Sequence, residues 1–437
     1  MEVLGKVDPI AEAKEVEWDP DGRWWVGRIN RWSGVTSDYS LPARVKVMDS
    51  TLREGEEVPG TKLNVAQKVE LAHRLVEAGF SELEVGYAGV IQEHALLVKS
   101  LHQEGLPIEI ASHTRIYGQT NEWRDEIDRN IDSGVDILTF VGFASEVGAA
   151  STPWLAKDAV PDRVAACCAY ARERGATVTF GLGDLVRTQL QYIVTCYQLA
   201  AEAGADRLYV YDGMGAATPA AISYLTKLIR DIGGPTPEIG VHVHNTFGLA
   251  TANAIEAVTA GASVVDAVPL GLGDGAGITA SEELVGALEV LYGVSTGIEL
   301  SRLTPLCRHI AEVFGLVMPE TKALVGANQF IHSIDSHVAA IIRGAWHAWE
   351  VVRPDVVGQE REVQFGHAKL RQGRSGALFA KAQQLGFDPD LDTMNEILEK
   401  VRTITEEQSY ATEKMVEEVI QEVHRGSQYR KRTQNEG

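Results

Sequence analysis

The chain has 437 residues, 45% of them hydrophobic and 23% charged, and its formal net charge at pH 7 is −21. This composition is ordinary for a globular protein, and the acidic balance disfavours a nucleic acid or an anionic membrane as partner, although a local basic pocket could still bind an anion. No apolar run reaches the roughly 18 residues of a transmembrane helix. The sequence begins without a signal-peptide pattern, and its four cysteines form neither a metal spacing nor a disulfide framework. These features predict a reduced, cytoplasmic protein.

The first 43 residues precede any predicted barrel strand and form a tryptophan-rich extension. It holds Trp18, Trp24, Trp25 and Trp32. We expect so dense a set of indoles to pack on the following domain or on a second subunit, with a disordered tail as the alternative.

Short β-rich runs then recur along the chain, separated by stretches with helical spacing such as residues 64–79 and 218–233. The eight runs are residues 44–49, 81–87, 107–113, 135–143, 177–183, 206–212, 238–244 and 263–271. Eight strands alternating with helices predict an α/β fold of the (β/α)8 (TIM) barrel type over residues 44–300. An open doubly wound sheet is the rival, but the first strand is not followed by a phosphate-binding glycine turn.

The β-rich rhythm stops after residue 300. Residues 301–425 are predicted to form a mainly helical region, interrupted by a loop-rich connection over 353–376. The last residues, 426–437, are polar, and we expect them to fray.

Two histidines one residue apart, His242 and His244, lie at the end of the seventh predicted strand. Because side chains alternate along a strand, both imidazoles point the same way. The end of the first strand is near in a closed barrel, and it offers Arg53 and Glu54. A carboxylate and two imidazoles suit a divalent cation that polarises a substrate oxygen, and an arginine beside it could neutralise developing charge. The alternative is that these are polar residues that merely cap loops.

Further acidic residues lie within or just after the first two predicted strands. Asp49, Glu56 and Glu57 flank Arg53 and Glu54, while Glu84 shares its strand face with Gly86 and is expected to point into the barrel mouth.

Several segments resemble the isopropylmalate synthase and homocitrate synthase family. They are residues 52–68 (LREGEEVPGTKLNVAQK), 84–87, 239–254 (IGVHVHNTFGLATANA), 271–285 and 330–344. The first segment is similar to the family signature Leu-Arg-acid-Gly-any-Gln, with Lys68 in place and Glu57 at the glutamine position. The segment 239–254 is similar to a second family signature, His-any-His-Asn-Asp-any-Gly, with Thr246 at the aspartate position. The resemblance covers about residues 44–425.

The resemblance implies an activity and a set of roles. The activity is condensation of acetyl-CoA with a 2-oxo acid, with a divalent cation (Mg²⁺, Mn²⁺, Co²⁺ or Zn²⁺) as cofactor. It implies Glu54, His242 and His244 as metal ligands, and Arg53 as the residue that binds the 2-oxo acid and stabilises charge. Glu84 would be a further active-site carboxylate. His337 would take part in acid–base chemistry from a neighbouring subunit, so a homodimer with exchanged C-terminal helices is expected.

Some positions depart from the family pattern. Ile278 stands where the family has an asparagine ligand, a place that Asn245, water or substrate could take. Trp349 falls near the position of the family's tyrosine partner to the linker histidine. The stretch 142–146 is similar to an Arg-Phe-Ser-Ser-Glu motif that reads the distal carboxylate of 2-oxoglutarate. It keeps Glu146 but places Gly142 and Ala144 at the contacts, and Gly213 replaces a third contact, a threonine.

These departures argue against 2-oxoglutarate, because its distal charge would be left unpaired. Oxaloacetate or a phosphorus-containing analogue of pyruvate is favoured, and His113, Arg115 and Tyr117, at the end of the third strand, are candidates to bind the terminal group. Two other functional classes stay open. One is a carbon–carbon lyase resembling 3-hydroxy-3-methylglutaryl-CoA (HMG-CoA) lyase, whose cysteine-bearing insertion is absent between Gly271 and Gly277. The other is a non-catalytic barrel with an assembly or regulatory role.

Overall fold

The computed structural model describes residues 21–117, 122–151, 155–366 and 375–435. The chain divides into two compact units. The first covers Arg28–Met318, and the second combines residues 21–27 with the chain from Pro319 onward. The sequence analysis placed the boundary at residue 300. It lies later because helix Leu303–Val313 packs against helix Val65–Ala78 of the first unit.

In the described part of the first unit, eight parallel strands close into a barrel in sequence order, which confirms the predicted TIM barrel. The strands are β1 Lys46–Asp49, β2 Glu82–Glu84, β3 Glu109–Arg115, β4 Ile137–Gly142, β5 Thr177–Leu182, β6 Arg207–Asp212, β7 Glu238–Val243 and β8 Val264–Ala267. The ring closes where β1 pairs with β8, with Val47 opposite Val265. This closure places the end of β1 close to the ends of β7 and β8.

Helices surround the barrel. They are Ser33–Thr36, Val65–Ala78, Gln92–Glu104, Glu122–Ser133, Glu146–Ser151, Val160–Glu173, Leu190–Glu202, Pro219–Gly233, Ala250–Thr259, Ser281–Ala287 and Leu303–Val313. The helix predicted over 64–79 shows why the pattern was readable. The Asn64 side chain accepts a hydrogen bond from the Gln67 backbone N–H, and the Gln67 side chain accepts one from the Asn64 backbone N–H. Gly79 ends the helix with a left-handed φ of 104°.

The barrel interior is layered. At the N-terminal end, Arg207 forms a bidentate ion pair with Glu82 and also contacts Glu238. Next to this ion-pair layer, toward the C-terminal end of the barrel, lie two tyrosines of β6, Tyr209 and Tyr211, whose ring centroids are 5.4 Å apart. Each ring occupies space that a glycine on a neighbouring strand leaves free: the Tyr209 ring lies over Gly240 of β7, and the Tyr211 ring over Gly181 of β5.

The second unit contains a three-stranded sheet and four helices in its described residues. The strands are β9 Ile331–His332, β10 Glu362–Gly366 and β11 Tyr410–Thr412, and the helices are Asp335–Ile342, Gly376–Gln384, Leu391–Gln408 and Glu413–Asn435. A buried apolar core joins these helices, with Val338, Leu378, Val401 and Ile420 among its members.

The structure adds two strands that the sequence analysis did not predict. Part of the loop-rich connection forms β10, and the helical segment that follows is interrupted at Ser409, whose φ is +70°, before β11.

The described tryptophans of the N-terminal extension differ in burial. Trp24 is buried and pairs through its backbone with Val352 of the second unit, whereas Trp25 and Trp32 are largely exposed. Trp18 lies outside the described residues. Trp24 belongs with the second unit, and the packing of the extension on the barrel or on a second subunit stays a prediction.

Among the helices of the described ranges, none combines the length and the apolar character that a membrane crossing needs.

Candidate metal centre and active site

Glu54, His242 and His244 converge at the C-terminal end of the barrel. One carboxylate oxygen of Glu54 lies 3.6 Å from Nε2 of His242 and 3.8 Å from Nε2 of His244, and the two Nε2 atoms are 3.3 Å apart. Glu54 and His242 are buried and His244 is half-buried. Three potential ligand atoms therefore face one point from two different strand ends.

The turn after β1 brings Glu54 to this point. Asp49 ends the strand, and its carboxylate accepts bonds from the backbone N–H and the hydroxyl of Thr51, each at 2.9 Å. The chain then enters a single 3₁₀ turn, Glu54–Glu57. Complete burial raises the pKa of Asp49 to about 7. In the structure Asp49 therefore holds the turn, and it is not one of the three converging groups.

Arg53 is held among three carboxylates. Its Nε and Nη2 donate to one oxygen of Glu84 at 3.1 and 2.9 Å, and its Nη1 donates to Glu54 and, at 3.1 Å, to Glu57. Burial opposes ionisation of Glu84, but Arg53 and His113 outweigh it and hold the pKa of Glu84 well below its usual range. For Glu54, burial is likewise outweighed by Arg53, and its pKa is lowered. Three carboxylates thus share one guanidinium, which leaves negative charge in excess.

The imidazoles are suited to bind a cation as neutral rings. Burial lowers the pKa of His242 to about 4, and burial also lowers the pKa of His244. Nδ1 of His242 lies 3.1 Å from Asp266 Oδ2, and the Tyr209 hydroxyl donates to Asp266 Oδ1 at 2.9 Å. Burial raises the pKa of Asp266 well above its usual range. A bound divalent cation acts in the opposite direction, because its charge favours ionised carboxylates around it.

A glycine-rich loop covers Glu54. Gly271, Gly273, Gly275 and Gly277 all have positive φ, between 61° and 154°. A Cβ on Gly277 would collide with the carbonyl oxygen of Gly271, and one on Gly273 would meet Glu54 Oε2 at 3.0 Å. Only glycine allows the loop to fold this closely over the carboxylate.

The donor set fits a divalent cation. Two imidazole nitrogens and one carboxylate oxygen would hold the cation, and the surplus of buried negative charge favours a positive ion. Such a site accepts Mg²⁺, Mn²⁺, Co²⁺ or Zn²⁺, and its donors do not select among them.

The structure brings some of the predicted residues to this centre and places others elsewhere. His113 joins it, with Nε2 2.6 Å from Glu84. Arg115 turns to the helix layer, where it pairs with Glu126 at 2.9 Å. The Tyr117 hydroxyl donates to the Val141 carbonyl, and Tyr117 stacks on Phe143.

Two of the predicted site residues, Glu146 and Asn245, interact with residues other than the three potential ligands. Glu146 is largely exposed and lies 3.8 Å from Lys157. The Asn245 side-chain oxygen accepts from the backbone N–H of Ala250, at the start of the following helix. The oxygen proposed as a substitute ligand is thus occupied in capping that helix.

The proposed alignment of residues 142–146 with the distal-carboxylate motif is not supported by the side-chain directions. A Cβ on Gly142 would meet Leu182, Val160 and Ile116, which belong to the apolar layer between strands and helices. The side chain at 142 therefore points away from the barrel axis. Alternation along β4 gives the inward direction to its odd-numbered residues, such as Thr139 and Val141.

His337 belongs to the second unit. It lies on helix Asp335–Ile342, and its ring stacks on Trp349 with centroids 3.7 Å apart. Nearby His332 contacts Glu350, which Arg361 binds with both ends of its guanidinium.

The sequence analysis missed Asp266 and Tyr209. A signal for Asp266 was present, since it is the one acid within the apolar run SVVDAVPLG, and it shares the inward face of β8 with Val264 and Val268.

Comparison with known proteins identifies the relatives of the chain. The family described as HMGL-like matches residues 44–310, and the family described as homocitrate synthase post-HMGL domain-like matches residues 324–409. A homocitrate synthase AksA of Methanopyrus kandleri is 33% identical over 387 residues, covering 88% of this chain and 94% of its own length. A probable 2-isopropylmalate synthase of Ignicoccus hospitalis is 32% identical, covering 88% of this chain and 93% of its own length.

Solved structures give the same fold. The hydroxymethylglutaryl-CoA lyase of Pseudomonas aeruginosa superposes with a TM-score of 0.55 at 20% identity, covering 63% of this chain and 95% of its own. That of Brucella melitensis gives 0.54 at 16% identity, covering 62% and 99%. With both domain families matched in order and relatives above 30% identity over most of both lengths, the chain belongs to the HMGL-like family, in the group of isopropylmalate and homocitrate synthases that its motifs resemble.

Proposed function

We propose that the protein is an acyltransferase that condenses acetyl-CoA with a 2-oxo acid, releasing CoA and a 2-hydroxy dicarboxylic or tricarboxylic acid. The observation that carries this proposal is the convergence of Glu54, His242 and His244 beside Arg53, in a chain whose second unit matches the homocitrate synthase family. That second match favours a synthase over an HMG-CoA lyase.

Each group at the centre has a role in the proposed reaction. Glu54, His242 and His244 hold the divalent cation, which when bound supplies Lewis-acid polarisation of the ketone oxygen of the acceptor. Arg53, fixed by its two bonds to Glu84, places positive charge where the attacked ketone oxygen becomes negative. A base removes a proton from the acetyl methyl group, and the resulting carbanion attacks the ketone carbon. Hydrolysis of the thioester then releases the CoA thiol.

For the acceptor, we propose oxaloacetate or a phosphorus-containing pyruvate analogue in preference to 2-oxoglutarate. Support comes from where the arginines and His113 lie. His113 is linked through Glu84 to Arg53, next to the metal ligands. Arg115 at the end of β3 and Arg187 after β5 are held by Glu126 and Asp184. The Arg53 guanidinium, so close to the ligands, favours an acceptor whose terminal anion is separated from its ketone by a single carbon.

Thiol release tests both levels of the proposal. The protein is incubated with acetyl-CoA, Mg²⁺ or Mn²⁺, and a panel of 2-oxo acids, while free thiol is followed. We expect release with oxaloacetate or the phosphorus-containing analogue. Absence of release with every acceptor would contradict the reaction class, whereas fastest turnover with 2-oxoglutarate would contradict only the choice of acceptor. Cleavage of HMG-CoA in a parallel assay would favour the lyase.

Two variants test the ligand assignment. His242→Ala and His244→Ala are each expected to lose metal and turnover while keeping a folded barrel. His73→Ala is the matched control, because His73 is a half-buried helix residue that contacts only Glu104 among the contacts described for it. Wild-type metal content and activity in both ligand variants would show that the histidine pair is structural.

We further propose that His337 supplies acid–base chemistry in trans, within a homodimer with exchanged C-terminal helices in the cytoplasm. Mixing two inactive variants, His337→Ala and His242→Ala, tests this. If each active site combines residues from two subunits, mixed dimers contain one intact site and regain activity. A monomer by light scattering, or no recovery after subunit exchange, would refute the arrangement.

A further inference from the structure

The hydrogen-bonded chain behind His242 crosses three strands of the barrel. Tyr209 on β6 donates from its hydroxyl to Asp266 Oδ1 on β8 at 2.9 Å, passing over β7. The other oxygen of Asp266 lies 3.1 Å from Nδ1 of His242, which is on β7 itself. All three side chains are buried, His242 the least at 4% exposure.

The glycine at residue 240 makes this chain possible. A Cβ there would collide with the Tyr209 ring, so only glycine lets the ring lie across β7 and reach β8. The arrangement thus depends on four residues on three strands: Tyr209, Gly240, His242 and Asp266. Apolar side chains alone could fill the barrel interior without this combination.

We propose that Asp266, oriented by Tyr209, is a positioning residue that fixes His242 with its proton on Nδ1 and its lone pair on Nε2. An Nδ1–H group donates to the carboxylate, and this leaves Nε2 free to face Glu54 and His244. Carboxylates that bind the second nitrogen of a metal-binding histidine orient the ring and raise its basicity. This inference rests on the proposed metal centre and adds residues that touch neither metal nor substrate.

The test measures Mn²⁺ affinity of the full-length protein by titration with electron paramagnetic resonance detection. In Asp266→Asn, the amide can donate to Nδ1 and so favours the wrong tautomer, with the proton on Nε2. We expect the Mn²⁺ dissociation constant to rise about 10–100-fold. Tyr209→Phe keeps the carboxylate but removes its second partner, and we expect a rise of roughly three- to ten-fold.

Tyr211→Phe is the matched control. It removes a buried tyrosine hydroxyl from the same strand and the same interior face, but that hydroxyl has no hydrogen-bond partner among the described residues. We expect its Mn²⁺ affinity to equal that of the wild type. In activity assays, Asp266→Asn should raise the Mn²⁺ concentration that gives half-maximal rate much more than it lowers kcat at saturating Mn²⁺.

The outcomes separate this inference from the proposed function. A wild-type protein that binds no Mn²⁺ would overturn both. Wild-type binding with Asp266→Asn within about two-fold of it would overturn the positioning role alone. Circular dichroism checks folding. If Asp266→Asn does not fold, Tyr209→Phe decides, and an affinity equal to that of Tyr211→Phe overturns the role.

Discussion

The buried ion pair at the N-terminal end of the barrel allows a quantitative prediction. Arg207 binds Glu82 through two bonds of 2.6 and 2.7 Å, and the two side chains are 4% and 2% exposed. We expect Glu82→Met or Arg207→Met to destabilise the protein by about 3–5 kcal/mol each, because each leaves a buried charge without its main partner. For a unit of this size, that corresponds to a fall in melting temperature of roughly 5–10 °C.

The double variant shows whether this reasoning holds. Glu82→Met combined with Arg207→Met removes both buried charges and substitutes unbranched apolar chains, which such sites often tolerate with little net loss. We expect the double variant to be more stable than either single variant. Urea unfolding at pH 7, followed by circular dichroism, gives the four stabilities of the cycle. Single losses below about 1 kcal/mol, or a double loss equal to the sum of the single losses, would refute the argument.

Three other predictions address different parts of the molecule. Gly240→Ala should lower the free energy of unfolding by about 1–3 kcal/mol or more, because its Cβ would displace the Tyr209 ring. Gly426→Ala is the control, since Gly426 lies in a helix with open space around it, and it should not lower that free energy. Equal unfolding midpoints for the two variants would contradict the account. Burial alone would raise the pKa of Glu350, but its bonds with Arg361 and His332 lower it. The ionised carboxylate of Glu350 should thus stabilise the fold fully above the unfolded pKa of about 4.3, and this stabilisation should be lost as the pH falls through the lower pKa of the folded state. Glu350→Gln should therefore be less stable than the wild type at pH 7 and differ less from it at pH 3. Urea unfolding midpoints at the two pH values measure this difference. Treatment with a chelator should abolish turnover and added Mn²⁺ should restore it; activity that survives complete metal removal, checked by elemental analysis, would contradict the metal centre.

The barrel was predictable because its signals are local. Alternating β-rich runs and helical stretches with glycine ends occur eight times, and each is visible in a short window of sequence. The pairing of His242 and His244 on one face also follows from strand periodicity alone. The nearness of Glu54 required one further step, the closure of the ring between β1 and β8.

The features that the sequence did not reveal depend on tertiary contacts. Arg115 has the parity of an inward residue, but it lies at the last position of β3, where Glu126 of the next helix captures its side chain. The break at Ser409 occurs in a segment of continuous helical pattern, and the pairing of β11 with β10 competes successfully with the helix. The role of Trp24 likewise depends on a partner more than 300 residues away, Val352.

The two tyrosine rings of β6 have a consequence for how this barrel can change during evolution. Gly181 and Gly240 are each paired with a ring from the neighbouring strand, so neither glycine can enlarge while its tyrosine remains. The compatible route is an exchange of bulk, in which a smaller residue replaces the tyrosine before or together with a larger one at the glycine. Among related barrels, positions 181 and 211 should therefore covary as one couple and positions 209 and 240 as another. The first couple would alter the space beside His242, whereas the second would also remove the hydroxyl that reaches Asp266.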